Sequence, residues 1–335
     1  MYIEKKALNK YISYWLISIF LIISIMIIVG GLTRLTDSGL SITEWQLFSG
    51  IIPPLNKNQW NEYFDLYKKI PEYKLQNFLM TLEEFKVIFW WEFTHRFLGR
   101  LIGIFFLIPL LYFSYRLGLF KTMNFHLIFI LICFQGFIGW YMVSSGLTEN
   151  VDVSHYRLGI HLMLAFIILG LVFWNYLKFK IINLPIKKIN SALPFFFLLF
   201  LFAQILIGAF VSGMDAGKIY NTWPLMGSTY FPDDVNLLNV SIFNDASLIQ
   251  FMHRNLAYLI LFFYLIILFN VYKNKNSEYF KILNIIGILL ILQIILGVFT
   301  LLTGAQMLLA SMHQISSIFL INSSIYLLYL NTKTN

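Results

Sequence analysis

Two short stretches of this sequence, 90–100 and 250–255, carry a His-Arg pair at the head of a long apolar run. The pairs are His95-Arg96 and His253-Arg254. Imidazole and guanidinium groups are costly inside a membrane segment, so they usually mark a functional site rather than a filler position. The spacing of these residues therefore indicates two equivalent places where chemistry could occur.

Two further histidines, His161 and His313, lie in later apolar runs. All four are expected at a similar depth, about 10 Å inside the end of their span. Haem iron takes axial nitrogen ligands, and helix bundles hold cofactors through side chains on facing helices. We therefore expect two haem-sized sites, one formed by His95 with His161 and one by His253 with His313. The alternative for each histidine is a hydrogen bond between helices.

The two remaining histidines fit other roles. His126 has no counterpart in the second half and is expected at the membrane interface. His155 precedes His161 by six residues, about 240° around a helix, so the two rings cannot face one iron. We expect His155 to be a surface residue or a contact of a haem propionate.

The arginines beside the histidines suit the acidic edge of a haem. A guanidinium can hold a carboxylate by two parallel hydrogen bonds. Arg96 and Arg254 are therefore predicted to bind haem propionates, and Arg100 and Arg157 are further candidates in the first half.

Glu92 distinguishes the two stretches. It stands three residues before His95, on the same face of a helix, whereas the residue at the matching position of the second stretch is the neutral Gln250. A buried carboxyl group beside a haem pocket is a candidate general acid or base. The alternative is an ion pair with Arg96 or Arg100.

The elements that must position these residues are membrane helices. The 335 residues are 59% hydrophobic and only 12% charged, whereas soluble domains carry about a quarter charged residues. Apolar runs long enough to span a bilayer lie near 11–29, 87–113, 122–143, 155–179, 191–212, 248–272, 279–302 and 306–330. The first run is too long for a signal peptide and is interpreted as an anchor. The sequence thus predicts an all-α integral membrane protein with eight transmembrane helices.

Charge sorts the connections between these spans into two sides. One side holds most of the basic residues and only Glu4 and Glu278 as acidic ones. The basic residues on that side are Lys5, Lys6, Lys10, Arg116, Lys121, Lys178, Lys180, Lys187, Lys188, Lys273, Lys275, Lys281 and Lys333. The positive-inside rule therefore places both termini in the cytoplasm. This distribution explains the net charge of +8 without nucleic acid as a partner, and the single cysteine, Cys133, excludes an intrachain disulfide.

An internal repeat organises the chain. In both halves, an aspartate stands seven positions after a glycine, and a tryptophan stands eight positions after the aspartate. A Gln-x-x-x-Gly element follows later in each half. The matched residues are Gly30, Asp37, Trp45, Gln135 and Gly139 in the first half, and Gly208, Asp215, Trp223, Gln293 and Gly297 in the second. We therefore predict two pseudo-symmetric four-helix bundles, 1–180 and 190–335, related by an axis along the membrane normal. The polar segment 56–84 is expected to contain a short surface helix broken at Pro71.

These residues together resemble the haem A synthase family. The resemblance covers nearly the whole chain and is carried by Glu92-x-x-His95-Arg96, His161, His253-Arg254, His313 and the segment Gly-Leu-Thr-Arg-Leu-Thr-Asp-Ser-Gly-Leu at 31–40. The outer loops lack the cysteine pairs of some members, so the chain is similar to the cysteine-free branch, typical of alphaproteobacteria and mitochondria.

The resemblance implies an inner-membrane oxidoreductase that converts the C8 methyl group of haem O to the formyl group of haem A, through a hydroxylated intermediate, for cytochrome oxidase. It implies that His253 and His313 ligate a haem b cofactor, that His95 and His161 ligate the haem O substrate, and that Glu92 is catalytic. Both sites would lie towards the periplasm. The implied partners are a haem O synthase that delivers haem O, an electron donor outside the chain, the lipid bilayer and, as one alternative, a second copy of this chain.

Two other classes of protein remain as alternatives. A two-haem b-type electron-transfer cytochrome, linked to quinol, would use all four histidines alike and would not need Glu92. A haem or solute transporter would bind without chemical change, but the matched polar residues lie near one face only, which argues against it.

Overall fold

The computed structural model describes residues 2–45, 49–147, 151–179, 188–235 and 241–332. These residues form α-helices, short 3-10 turns and connecting loops, with no β-strand among them. The predicted basic positions Lys180, Lys187 and Lys333 lie outside the described residues, as does most of the linker between the predicted halves.

Eight of the described helices are long and apolar enough to cross a membrane, which confirms the predicted fold class. The described α-helices are α1 (Tyr2–Leu35), α2 (Lys57–Tyr67), α3 (Pro71–Leu75), α4 (Leu82–Leu117), α5 (Leu119–Gly146), α6 (His155–Lys178), α7 (Ala192–Gly213), α8 (Ala246–Lys273), α9 (Phe280–Leu302) and α10 (Met307–Thr332). The shortest of the eight spanning candidates has 22 residues, which exceeds the roughly 20 that hydrocarbon requires. The protein is therefore a multi-pass membrane protein.

The helix boundaries agree with the predicted spans to within a few residues, except at both ends of α1 and at the start of α4. Helix α4 begins at Leu82 rather than near residue 87, because Thr81 and Glu84 form a capping box. The Thr81 hydroxyl accepts the Glu84 N–H, and the Glu84 carboxylate accepts the Thr81 N–H, so two groups at the helix start are satisfied. As a result, His95 lies further along its helix than the other three paired histidines.

The chain divides into two compact units. The first unit is Ile17–Leu169, with most of α1 and with α4, α5 and the first half of α6. The second unit comprises Gly170–Asn335, with α7 to α10, together with Met1–Leu16. The boundary between the units falls inside α6, whereas the predicted halves were 1–180 and 190–335. The assignment of one site to each half stays a prediction.

In the first unit, α2 and α3 form a cap, residues 56–81, that packs on the start of α4. Its core is aromatic: the Phe64 and Phe85 rings stack at 5.0 Å, and the Tyr67 and Phe85 ring centroids are 5.2 Å apart. Pro71 begins α3 instead of interrupting one helix, because proline is tolerated at the first helical position, where its missing N–H is not needed. The segment expected to be a surface helix is thus partly a buried structure.

A carboxyl group is buried inside this cap. Glu72 is 3% exposed, and its Oε2 atom has no hydrogen-bond partner. The hydroxyl of Tyr67 bonds to the carboxyl group and accepts an N–H of Asn77 at 2.7 Å. Burial, followed by the charges of Glu92, Asp152 and Asp37, raises the pKa of Glu72 to about 8. Glu72 is therefore protonated in the folded cap at neutral pH.

We expect the cap to lose stability as the pH rises from 5 to 9. The pKa of Glu72 is higher in the folded cap than in an unfolded chain, so its contribution is complete below the unfolded value and is lost as the pH rises through about 8. Each pKa unit corresponds to about 1.4 kcal/mol. Amide hydrogen exchange of α2 and α3, corrected for intrinsic rates, should accelerate at pH 9 in the wild type but not in Glu72→Gln.

The control is Glu62→Gln, which changes an exposed carboxylate of α2 and should exchange like the wild type. Equal protection at pH 5 and pH 9 in the wild-type cap would contradict the assignment of the buried proton to Glu72.

Candidate functional site

Each unit brings one predicted pair of histidines together. The ring centroids of His95 and His161 are 6.4 Å apart in the first unit, and those of His253 and His313 are 6.5 Å apart in the second. In both pairs the rings are strongly inclined, at 62° and 75°. The near-identity of the two distances indicates that both units are built for the same kind of occupant.

The pairs fit a metal held between two imidazoles. An imidazole nitrogen binds such a metal at about 2 Å and lies about 1 Å from its ring centre, so two axial rings would have centroids about 6 to 6.5 Å apart. The Nδ1 atoms of His95, His253 and His313 are buried and have no hydrogen-bond partner. The described residues contain no cluster of three or more metal-ligating side chains, so a fit to iron requires a macrocycle that supplies the equatorial ligands. Haem meets these requirements.

A glycine on a neighbouring helix faces each of the four rings. A Cβ atom built on the glycine would approach the histidine Cε1 atom to 3.1 Å or less in every case. The pairs are Gly30 with His95 (2.8 Å), Gly139 with His161 (3.0 Å), Gly208 with His253 (3.0 Å) and Gly297 with His313 (3.1 Å). The repeated glycines are therefore explained by contact with the ring, because any larger residue would displace the imidazole.

Glutamines anchor three of the four histidines. Gln135 donates to the backbone carbonyl of His161 at 3.0 Å, and Gln293 donates to that of His313 at 3.0 Å. Sequence reasoning missed a third case, in which Gln204 of α7 donates to the carbonyl of His253 at 3.0 Å. Its signal was present, since Gln204 stands four residues before Gly208.

Glu92 is buried in a complete set of hydrogen bonds. Its residue is 3% exposed. Oε2 accepts the Ser41 hydroxyl and the Ile42 N–H, both at 2.7 Å. Oε1 accepts the Nε atom of Arg96 at 2.9 Å and one of its Nη atoms. The ion pair with Arg96, which the sequence left open as an alternative, is therefore present. Glu92 nevertheless lies one helical turn from His95, so the ion pair does not remove it from the histidine pair.

Both predicted propionate-binding arginines contact loop backbone. The acceptors are the carbonyls of Ile42 (2.8 Å) and Glu44 (3.3 Å) for Arg96, and those of Tyr220 (2.9 Å), Thr222 (2.9 Å) and Leu225 (3.3 Å) for Arg254. Ile42 and Tyr220 each come five residues after the repeated aspartate, so the two arginines clamp equivalent loops. A role towards propionates stays a prediction.

The two units differ where Glu92 meets its loop. Glu92 accepts the N–H of Ile42, whereas Gln250 donates its amide to the carbonyl of Tyr220 at 3.1 Å. The position of Ser41 corresponds to Ile219 in the second unit, which has no hydroxyl. At this helix position the first unit therefore has a carboxylate with a hydroxyl partner, whereas the second unit has an amide that donates to a carbonyl.

The other predicted residues belong to the first unit. Arg100 lines a shallow, open pocket together with Arg96. Arg157 lies over the Tyr141 ring at 4.2 Å. His155 begins α6 with its ring 4.1 Å from that of Tyr156, and it is not brought to the pair. His126 lies near the start of α5, 3.0 Å from the carbonyl of Thr122.

The model of the COX15-CtaA family, described as cytochrome oxidase assembly protein, matches residues 13–325. The chain is similar to a protein named Heme A synthase from Pelagibacter ubique, 49% identical over 99% of this chain and 100% of the relative. Proteins of the same name from Rickettsia bellii (40% identical; 95% and 98% covered) and Maricaulis maris (42% identical; 93% and 93% covered) are also similar.

We expect Gly139→Val to displace the His161 ring, because the added atoms would meet its Cε1 atom. Haem binding to the first unit should weaken by about tenfold, which corresponds to about 1.4 kcal/mol. The measurement is a titration of the purified protein with haem, followed by the absorption of the low-spin, two-histidine form. The matched control is Gly136→Val on the same helix, where a Cβ meets nothing within 4 Å. Equal losses in both variants would show a general effect on α5.

Proposed function

This chain belongs to the COX15-CtaA family of cytochrome oxidase assembly proteins, and we propose that it is a haem A synthase, an enzyme that oxidises haem O to haem A for cytochrome oxidase. The change converts the C8 methyl group to a formyl group through a hydroxylated intermediate. Conversion of a methyl to a formyl group removes four electrons, so protons must also leave the reacting carbon. The observation that supports the proposal most directly is a carboxylate beside only one of two otherwise equivalent histidine pairs.

We assign the substrate, haem O, to the first unit, with His95 and His161 as the iron ligands. The buried Glu92 stands one helical turn from His95, where a proton acceptor is needed. We assign a resident haem b to the second unit, with His253 and His313 as ligands. There the neutral Gln250 replaces the carboxylate, as suits a site that holds its cofactor without altering it.

Glu92 acts as the acid-base group. Hydrogen bonds to both of its oxygens hold the carboxylate in one orientation, and charge-assisted bonds of this kind are stronger than neutral ones. A carboxylate held in this way can accept a proton and pass it on. The Ser41 hydroxyl donates to the same oxygen and can relay the proton towards the loop. Arg96 balances the charge of Glu92 and fixes the loop that carries Ser41.

Haem b, when bound, supplies a one-electron carrier, which His253 and His313 hold by their ring nitrogens. The proposed redox partner is an electron donor outside this chain, and a haem O synthase is the proposed source of the substrate. The bacterial inner membrane suits the family, and the positive-inside rule favours cytoplasmic termini with both sites towards the periplasm. Arg96 and Arg254 would then lie near the propionate edges of the haems.

The alternative function, a two-haem electron-transfer cytochrome linked to quinol, receives no support from the comparisons. It also leaves the buried set formed by Glu92, Ser41 and Arg96 without a role, because a symmetric electron carrier needs no proton acceptor at one site only.

The proposed activity predicts the haems that copurify with the protein. In a host that supplies haem O, extraction and chromatography with mass detection should give haem b together with haem A or the hydroxylated intermediate. Glu92→Gln should retain haem b and yield haem A at least about a hundredfold less, the usual scale for loss of a general acid or base. Haem b alone, at two per chain in the wild type, would favour the cytochrome, and wild-type yield from Glu92→Gln would remove Glu92 from the mechanism.

We expect His253→Ala and His313→Ala each to lose tightly bound haem b, because each imidazole would supply one of the two ring nitrogens that hold this cofactor. The measurement is the low-spin absorption spectrum of haem b in each purified variant. His126→Ala is the matched control, since this histidine lies away from both pairs, and it should retain the spectrum. A normal low-spin haem b spectrum in both ligand variants would contradict the assignment of the second unit.

A further inference from the structure

The four candidate ligands are not held equally. At each ring a glycine makes the close contact, and the residue four positions before that glycine can reach the histidine backbone. In three cases this residue is a glutamine that donates to the histidine carbonyl at 3.0 Å. These bonds join two helices, so they fix the height and the rotation of the helix that carries the histidine.

His95 has the glycine without the glutamine. Four residues before Gly30 stands Met26, whose thioether has no N–H and cannot donate a hydrogen bond. The Met26 side chain instead lies beside Gly99, with its Cε atom 3.4 Å from where a Cβ of Gly99 would be. Methionine is flexible and adapts to a changing neighbour. Met26 therefore cannot give the His95 carbonyl the bond that a glutamine gives to the other three, although the Thr33 hydroxyl of α1 contacts the Trp91 carbonyl of α4 at 3.4 Å.

We propose that His95 is the exchangeable ligand of the four and that His161 is the fixed ligand of the substrate site. This inference rests on the proposed function. A substrate haem that both imidazoles hold must be released by both before it can leave the site, and release would begin at the ring that is held less firmly. In the second unit, both His253 and His313 are anchored by a glutamine, as a permanently held cofactor requires.

The anchoring difference also explains an asymmetry within the first unit. His161 is held by Gln135 both at its carbonyl and near its ring, where Gln135 Nε2 lies 3.2 Å from His161 Nδ1. The Nδ1 atom of His95 has no hydrogen-bond partner. Within the first unit, His161 therefore has contacts with a glutamine that His95 does not have.

The experiment measures how fast cyanide replaces a histidine on ferric haem. The protein is made without haem O and is loaded with haem b in both units, so the rate does not depend on any oxidation of substrate. We expect two phases in the wild type, a fast one from the first unit and a slow one from the second. His95→Ala should convert the fast phase to immediate binding, which identifies it.

Met26→Gln adds the missing glutamine and should slow the fast phase by about three- to tenfold, the scale of one interhelical hydrogen bond in a membrane. Met26→Leu, similar in volume but without a donor, is the matched control and should stay close to the wild-type rate. The reciprocal variant Gln204→Met should accelerate the slow phase by a similar factor, and it tests the inference even where Met26→Gln does not fold.

Equal rates for Met26→Gln and Met26→Leu, or no change in Gln204→Met, would overturn the inference. Failure of the proposed function has a different signature: haem O would remain unoxidised while the two cyanide phases and their response to Met26→Gln persisted. Formation of haem A with a single cyanide phase would refute the inference about His95 alone.

Discussion

Hydrocarbon offers no hydrogen-bond partner, and this constraint bears on the charged side chains Glu92, Arg96 and Arg254 near the histidine pairs. Glu92 meets it with Ser41, the Ile42 N–H and Arg96, while Arg96 and Arg254 meet it with loop carbonyls. The bonds that satisfy these groups also position them. Each arginine thereby joins the helix that carries its neighbouring histidine to a loop. The same hydrogen bonds satisfy the guanidinium group and hold the loop against the site.

Most of the fold could be predicted because it depends on composition over long stretches. Eight apolar runs of hydrocarbon length predicted eight helices, which the structure confirms. The errors lie where polar residues extend a helix or begin a new one. The capping box of Thr81 and Glu84 lengthens α4, and Pro71 starts α3 within the cap. Local hydrogen bonds decide such boundaries, and mean hydropathy does not record them.

The site was predictable in its residue types and less so in its contacts. Repeat spacing led to the four histidines, and the structure brings them into two pairs, although their role as ligands stays a proposal. The hydrogen-bond partners of Glu92 could not be predicted from the sequence. Ser41 precedes Glu92 by about fifty residues, and no sequence pattern indicates the path of its loop. Gln204 was missed because its repeat counterpart is Met26, so a comparison of the halves removed the signal.

The length of α4 has a mechanical consequence. Phe85, Phe89, Glu92 and Arg96 follow one another at three- or four-residue intervals, so they form one stripe along a continuous helix. The upper end of the stripe packs in the aromatic core of the cap, and the lower end holds the carboxylate. A single residue inserted between them would turn the lower part by about 100° relative to the upper part. The direction in which Glu92 points therefore depends on how the cap packs on the start of α4, because both belong to one continuous helix.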